Sequence, residues 1–342
     1  VRWANVLSCP FSCSNGIKQG GVLSPVLFCV YIEELISRLR ALNIGCFVGH
    51  KFAGVMTYAD DVTLMAPTHA ATMKMLEVCR DCANDFDVVF NTSKSYVILF
   101  QPRNRPNMQR PVITFQGEVI RYTERAVHLG SIVGSNASQE NIKKAITDLY
   151  VKTNYLCTTF AFCDYNVSCY LLNTHCSSFY GSPLWKINLI EPLCIAWRKC
   201  IRRFLKLHPR THSRYIPHII NRPDLQTQFL LRSLKFWRNA LLSDNEVLSI
   251  CARVAASNTS SSNVACNLRF ILDSLSSDVS VLMNDSNVIS TLLYDNWKHA
   301  LSVEDSIYCN TIIELLNVKH NILQCPLSSS EVDALITFLS VS

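Results

Sequence analysis

The chain has 342 residues and a net charge of +6, with 49% apolar and 17% charged residues. A chain this apolar can bury a sizeable core and is not expected to be disordered over most of its length, and at roughly 100–200 residues per domain it has room for about two domains. No apolar run reaches the about 20 residues needed to cross a bilayer, which excludes a helical membrane span.

Sixteen cysteines are too scattered, in too long a chain, for a disulfide scaffold. In runs such as residues 27–30 (LFCV) they read as small apolar packing groups in a reducing compartment. Cys79 and Cys82 form a C-x-x-C, but inside a helical pattern and without a second pair at zinc-binding spacing. Charge is unevenly spread. Residues 1–185 hold 16 basic and 13 acidic side chains, residues 186–238 hold 12 and 2, and residues 239–342 hold 4 and 11. The basic block points to a polyanionic partner, most simply nucleic acid, with a solvated helical surface as the alternative. The opposite charge of the last third makes docking onto that block plausible. The chain shows no signal-peptide pattern, and because its first residue, Val1, is not methionine, a processed product or fragment is expected.

In chain order, residues 15–21 (NGIKQGG) read as a turn-rich loop. Ser24 and Pro25 open a helix as cap and first residue, continued at helical spacing by Leu27, Phe28, Tyr31, Ile32, Leu35 and Leu39. Residues 43–52 read as a linker. Residues 55–65 (VMTYADDVTLM) read as a hairpin ended by Pro67, and a second amphipathic helix follows, with Met73, Leu76, Cys79, Ala83 and Phe86 on one face. Short strands are expected at 88–90 and 97–100 around NTSKS, a hairpin over 112–122 turning at Gln116 and Gly117, and a strand at 128–133. From about residue 139 to 242 the pattern is helical. Residues 257–263 (SNTSSSN) read as a loop, and the remainder as mostly helical and acidic. The expected fold class is α+β. An antiparallel sheet with helices on one face over 1–135 is followed by a basic helical region over 136–250 and an acidic, mostly helical one over 251–342.

Two adjacent carboxylates in an apolar hairpin call for a reason, because charged residues are depleted in strands and costly to bury. A tight turn at Ala59, Asp60 and Asp61 puts both at a sheet rim, half solvated and held by rigid strands. Paired carboxylates repel each other and are best stabilised by a divalent cation, as in sites that transfer phosphoryl or nucleotidyl groups with two metal ions. The alternative is that the aspartates simply favour the turn.

Residues 16–28 (GIKQGGVLSPVLF), 58–61 (YADD), 90–94 (FNTSK) and 128–130 (HLG) occur in that order and spacing. Together they resemble the palm of reverse transcriptases, in detail those of non-LTR (LINE-type) retrotransposons. Residues 176–185 (CSSFYGSPLW) and 195–212 (IAWRKCIRRFLKLHPRTH) resemble the helical region that follows that palm, so the likeness covers roughly residues 1–245. It implies a partial polymerase palm, a thumb-like or connector helical region and a C-terminal helical region. It implies an RNA-directed DNA polymerase with Asp60 and Asp61 as catalytic, metal-holding carboxylates and two Mg2+ ions in the complete enzyme. Gln19 and Gly20 would lie against template and nucleotide, Lys94 near the triphosphate, and Leu129 and Gly130 near the primer.

The residue types suit these roles. Glycines let a backbone approach a base pair closely, Gln19 both donates and accepts, and Lys94 is a point charge or a proton donor to pyrophosphate. The plainer alternatives are a helix-entry polar residue for Gln19 and an exposed loop lysine for Lys94. Arg198, Lys199, Arg202 and Arg203 suit contacts to nucleic-acid phosphates, whereas Trp185, Trp197 and Trp237 at helical spacing read as core. His208, His212 and His218, interrupted by prolines, have no helix register for a metal.

The resemblance implies an RNA template, a DNA primer and deoxynucleoside triphosphates as partners, no membrane, and work in nucleus or cytoplasm. The family's further aspartate on a strand before the Gln-Gly loop has no counterpart, since residues 1–15 contain no acid. The expectation is a chain that starts within the palm, lacks the upstream palm and fingers of its parent polyprotein, and is inactive alone. The alternative is a non-catalytic retroelement remnant that binds nucleic acid.

Overall fold

Capping residues punctuate the helices of this chain. Thr68, Asp164, Asp224 and Asn245 each accept a hydrogen bond from the backbone N–H three residues on, at 3.0–3.1 Å, and each starts a helix. The computed structural model describes residues 2–10, 20–101, 109–257, 262–274 and 302–323. The elements are β1 (Arg2–Trp3), β2 (Val6–Leu7), α1 (Ser24–Ala41), β3 (Phe47–Val48), β4 (Lys51–Phe52), β5 (Val55–Tyr58), β6 (Asp61–Leu64), α2 (His69–Phe86), β7 (Tyr96–Ile98), β8 (Thr114–Phe115), β9 (Glu118–Val119), β10 (Arg121–Thr123), β11 (Arg125–His128) and β12 (Ser131–Gly134). Helices follow: α3 (Ala137–Thr159), α4 (Tyr165–Cys176), α5 (Glu191–Phe204), α6 (Ile216–Ile219), α7 (Leu225–Leu241), α8 (Glu246–Ala256), α9 (Asn263–Ser274) and α10 (Val303–Leu323). The chain forms two compact units, Val1–Glu124 and Arg125–Ser342. Among the described residues no helix is long and apolar enough to cross a membrane.

The first unit is mixed α and β. Leu35 and Leu39 of α1 and Met75 and Cys79 of α2 pack with Ile113, Phe115 and Ile120, and the inward side chains of β5 and β6 close over them. Leu39 and Met75 are fully buried. The single antiparallel sheet expected from the sequence is not formed by the described residues. Their strands pair two by two, as five antiparallel ladders across the chain and one parallel ladder of β7 with β10. Each antiparallel ladder is closed by its own short connection, so pairing stays local. β7 and β10 are joined through the β8–β9 hairpin, which turns at Gln116 and Gly117 as the sequence indicates, both with positive φ (52° and 82°).

Several local expectations are corrected. Residues 43–52 are not a plain linker: β3 and β4 pair there, with the Phe47 and Phe52 rings edge to face at 5.5 Å. Residues 88–90 form no strand, because α2 ends at Asp87 in the left-handed conformation and the chain then enters a 3-10 turn at Thr92–Lys94. Residues 128–133 are not one strand but the turn and flanks of the β11–β12 hairpin. Ser24 is the first helical residue rather than the cap: Leu23 holds the cap position and no side chain caps the helix.

The second unit is helical after its hairpin, and its buried residues form two clusters that meet at the partly buried Leu230. α3 lies along α5, with Leu149 and Leu156 against a face of α5 that buries Leu193, Trp197 and Ile201. A further cluster joins α7, α8 and α9 through Leu234, Trp237, Leu268 and Ile271. Helix α10, from the acidic third, docks on α4 and α6. Ile312 enters the core, Tyr215 packs on Tyr308, and Arg214 pairs with Asp305 at 2.9 Å. The described part of the acidic region thus folds onto the basic block.

Candidate active site

The β5–β6 hairpin alternates with period two. Tyr58 faces Asp61, Thr57 faces Val62, Met56 faces Thr63 and Val55 faces Leu64. Pairs directly opposite share a face. Val55, Val62 and Leu64 point to the core, which anchors the hairpin on α1 and α2. Met56, Tyr58, Asp61 and Thr63 therefore lie on the other face, where Tyr58 is 65% exposed and Met56 53%. The connection is only Ala59 and Asp60. Ala59 has φ +50°, while Asp60 is not among the positive-φ residues, the pattern of a hairpin turn whose first central residue is left-handed. An L-residue there costs about 1–2 kcal/mol, so the turn holds backbone strain at this position.

Asp60 at the tip and Asp61 at the first position of β6 are both exposed. Among the described residues neither makes a hydrogen bond or ion pair with a neighbouring side chain, and no group of three or more His, Cys, Asp or Glu gathers for a metal. Exposure removes the burial problem posed by the sequence: two carboxylates at contact distance in water repel by only about 1 kcal/mol. Two adjacent carboxylates suit a hard cation that takes one or two protein oxygens and completes its shell with water and phosphate oxygens.

Lys94 sits at the end of a turn built by Asn91. The Asn91 side chain accepts from the Lys94 N–H at 3.2 Å and from the Ser93 hydroxyl at 2.7 Å, and the Ser95 hydroxyl donates to the Asn91 carbonyl at 2.9 Å. The Thr92 hydroxyl ties the turn to Glu118. Lys94 is exposed, three residues before Val97, which packs on the same core as the inner face of the aspartate hairpin. Gly20 has φ +81°, and a side chain there would meet nothing within 4 Å. Gln19 lies outside the described residues.

Leu129 and Gly130 form the turn of β11–β12 in the second unit, both with positive φ (48° and 77°). The Lys144 amino group donates to the Gly130 carbonyl at 3.2 Å. The four cations of α5 differ in what they touch. Arg202 donates twice to the Thr211 carbonyl and once to Ser213, and burial lowers its pKa. Arg198 pairs with Glu191 at 2.9 Å. Arg203 is exposed and donates to Asn154 at 2.6 Å, and Lys199 is exposed. Trp185, Trp197 and Trp237 are 5% exposed or less, as core residues.

Other side chains resolve into structural roles. Burial pushes the Cys79 thiol up to about 12, which suits packing and opposes metal ligation. His208 and His212 accept from the backbone N–H groups of Arg210 and Arg214. Sequence reasoning missed Asn141 and Asn267. Asn141 clamps Ile132 at both its N–H and its carbonyl, at 2.9 Å each. Asn267 accepts from the Ile187 N–H at 2.9 Å and donates to the Trp185 carbonyl at 2.6 Å. Amides within helices read as surface; their only sequence signal is a polar residue on an otherwise apolar face.

Comparison with known proteins adds two findings. Residues 2–143 match the family model of reverse transcriptase (RNA-dependent DNA polymerase). A stretch of 85 residues is 30% identical to the retrovirus-related Pol polyprotein from the type-2 retrotransposable element R2DM of Drosophila melanogaster, covering 25% of this chain and 8% of that polyprotein. The matched stretch is thus under a tenth of that relative's length.

Proposed function

From the premise that residues 2–143 are a reverse transcriptase sequence of the non-LTR retrotransposon kind, we propose that this chain carries part of the active site of an RNA-directed DNA polymerase. The observation that supports this best is the aspartate turn: two adjacent, exposed carboxylates on the open face of a hairpin whose other face is locked into the core. Asp60 and Asp61 would hold Mg2+, which supplies activation of a primer hydroxyl and neutralisation of phosphate charge when bound. The side chains then have separable tasks. The rigid strands fix both carboxylates relative to the primer end. Ala59, the smallest residue with a Cβ, leaves room beside them. Lys94 meets the triphosphate as a point charge or hands a proton to the leaving pyrophosphate. Gly20, beside Gln19, lets backbone approach the template–nucleotide pair, and Leu129 and Gly130 approach the primer.

In this reading residues 1–135 are palm, 136–250 thumb-like and 251–342 a C-terminal helical region. Lys199 and Arg203 grip phosphates in a salt-dependent way without reading sequence. The substrates are an RNA template, a DNA primer and deoxynucleoside triphosphates, which sets the work inside the cell. Two carboxylates do not complete a two-metal site, and residues 1–15 offer no third. The 342-residue chain is therefore expected not to polymerise alone. A second reading, a nucleic-acid-binding remnant, rests on the basic block, with 12 basic and 2 acidic side chains over residues 186–238.

The test is primer extension with Mg2+ on an RNA template, using a longer polymerase in which a palm strand bearing an aspartate precedes this chain. Extension lost in Asp60→Asn and Asp61→Asn, with template–primer binding retained, supports the catalytic reading. Extension that survives both substitutions overturns it. Extension by the 342-residue chain alone, lost in Asp60→Asn, overturns its inactivity.

A further inference from the structure

Within the second unit, the β11–β12 turn, the outer face of α3 and the segment after α4 enclose a cavity of about 280 Å³. Its inner lining includes Leu149, Cys176, Phe179 and Trp185, each 8% exposed or less. Trp185 is held in place: its ring meets Phe229 at 5.9 Å and its carbonyl accepts from Asn267. Yet its indole N–H is buried without an acceptor. A buried donor left unsatisfied costs about 1–3 kcal/mol, so this one calls for an explanation. The outer lining is polar. Lys144, Asp148 and Lys152 recur every fourth residue along α3, all exposed, and Tyr180 is 71% exposed.

A ligand that fits must be flat and largely apolar to lie among Phe179, Trp185 and Leu149. It needs an acceptor on its edge for the indole N–H, and an anion for the two lysines. An acceptor for a hydroxyl or amine is present in Asp148. A nucleotide meets all of these: ring nitrogen or carbonyl as acceptor, phosphate as anion, sugar hydroxyl as donor. A second hollow of about 400 Å³ adjoins the first and shares Lys152 and Ser178 with it; Tyr155 and His175 line it. The continuity favours a strand over a free nucleotide.

We propose that this cavity takes one unpaired nucleotide of a single-stranded nucleic acid, its base against Trp185 and Tyr180 and its flanking phosphates at Lys144 and Lys152. The inference rests on the reading of the chain as one that handles nucleic acid. It gives a role to residues 176–185, the motif that the catalytic scheme leaves unused.

The experiment uses the 342-residue chain and a fluorescein-labelled ten-nucleotide DNA strand, beside a fully abasic strand of equal length. Binding is read by anisotropy, and the Trp185 indole N–H by nuclear magnetic resonance, identified by its loss in Trp185→Phe. The base-bearing strand is expected to move that resonance and the abasic strand not. Tyr180→Leu is expected to weaken the base-bearing strand about tenfold, within the usual range for a stacked base, and to leave abasic binding unchanged. If Trp185→Phe does not fold, Tyr180→Leu carries the test, since it truncates an exposed side chain. Strand binding with a still indole resonance, or equal losses on both strands in Tyr180→Leu, overturns the pocket alone. An equal shift with the abasic strand reduces it to a phosphate site and overturns the base assignment. Deoxyadenosine monophosphate that displaces the strand at equal concentration overturns the strand as occupant. No strand binding at all overturns the nucleic-acid reading as well.

Discussion

Helix α1 of the first unit and helix α5 of the second are both amphipathic by sequence, yet they are used differently. α5 has 14 residues and buries seven of them, from Leu193 to Phe204. α1 has 18 and buries only Leu35 and Leu39. Its first turns leave Val26, Leu27, Val30 and Tyr31 more than half exposed, just after an exposed Val22 and Leu23. The second unit therefore uses its apolar groups to hold itself together. The first unit keeps apolar side chains, two carboxylates and Lys94 at its surface. Under the proposed function the catalytic carboxylates belong to the first unit and the larger helical core to the second, and substitutions test that division.

The largest effect is expected on activity. In the longer polymerase described above, Asp60→Asn lowers primer extension by about 10³-fold, the several kcal/mol that a polarising metal contributes. Denaturation of the variant is expected to match the parent, because Asp60 is exposed and unpaired among the described residues. A large loss of stability would mean the aspartate serves the fold.

Next come the cores. Trp197→Ala is expected to cost about 3–5 kcal/mol in the second unit and Met75→Ala about 2–5 kcal/mol in the first, read by chemical denaturation. The contrast is Leu27→Ala, whose side chain is 52% exposed, expected within about 0.5 kcal/mol. A loss at Leu27 comparable to that at Met75 would show that its face is covered in solution.

The cations of α5 divide along the same line. Lys199→Gln and Arg203→Gln are each expected to reduce the salt slope of template–primer binding by about 1, with little change in stability. Arg202→Met is expected to do the reverse, since its donors are occupied by Thr211 and Ser213. Equal salt slopes for all three variants would remove the distinction.

The smallest effect concerns pH. Burial lowers the His218 pKa, with Asp305 partly opposing. The unfolded chain then takes up a proton at higher pH than the folded one. Stability is full above the ordinary value of about 6.5 and falls as pH drops through it, until the folded His218 also titrates. Asp305, held low chiefly by the Tyr215 hydroxyl, acts in the same direction at lower pH. The melting temperature is thus expected to fall from pH 7.5 to pH 5, and His218→Gln to flatten that fall. A slope unchanged in His218→Gln would assign it to other groups.

Much of this was legible from residues alone where the cause is local. Gln116 and Gly117 mark a two-residue turn because a left-handed pair of backbones favours glycine, and YADD marks another between two β-branched runs. The long helices were legible because apolar spacing persists over many turns. The two-residue strands β3, β4, β8 and β9 are too short to show alternation, so their pairing was not. Nor was the use of Arg202. A guanidinium looks the same in sequence whether it faces solvent or a loop carbonyl.

By itself the sequence determined the order of helices and turns, the family resemblance, and the placing of two carboxylates at a hairpin tip, since each depends on neighbours within a few residues. Tertiary structure alone decided the parallel pairing of β7 with β10, the docking of α10 through Ile312 and Asp305, the internal use of Arg202, and the buried indole N–H of Trp185. Those depend on groups tens of residues apart, whose meeting is set by packing of whole elements and leaves no periodic trace in the chain.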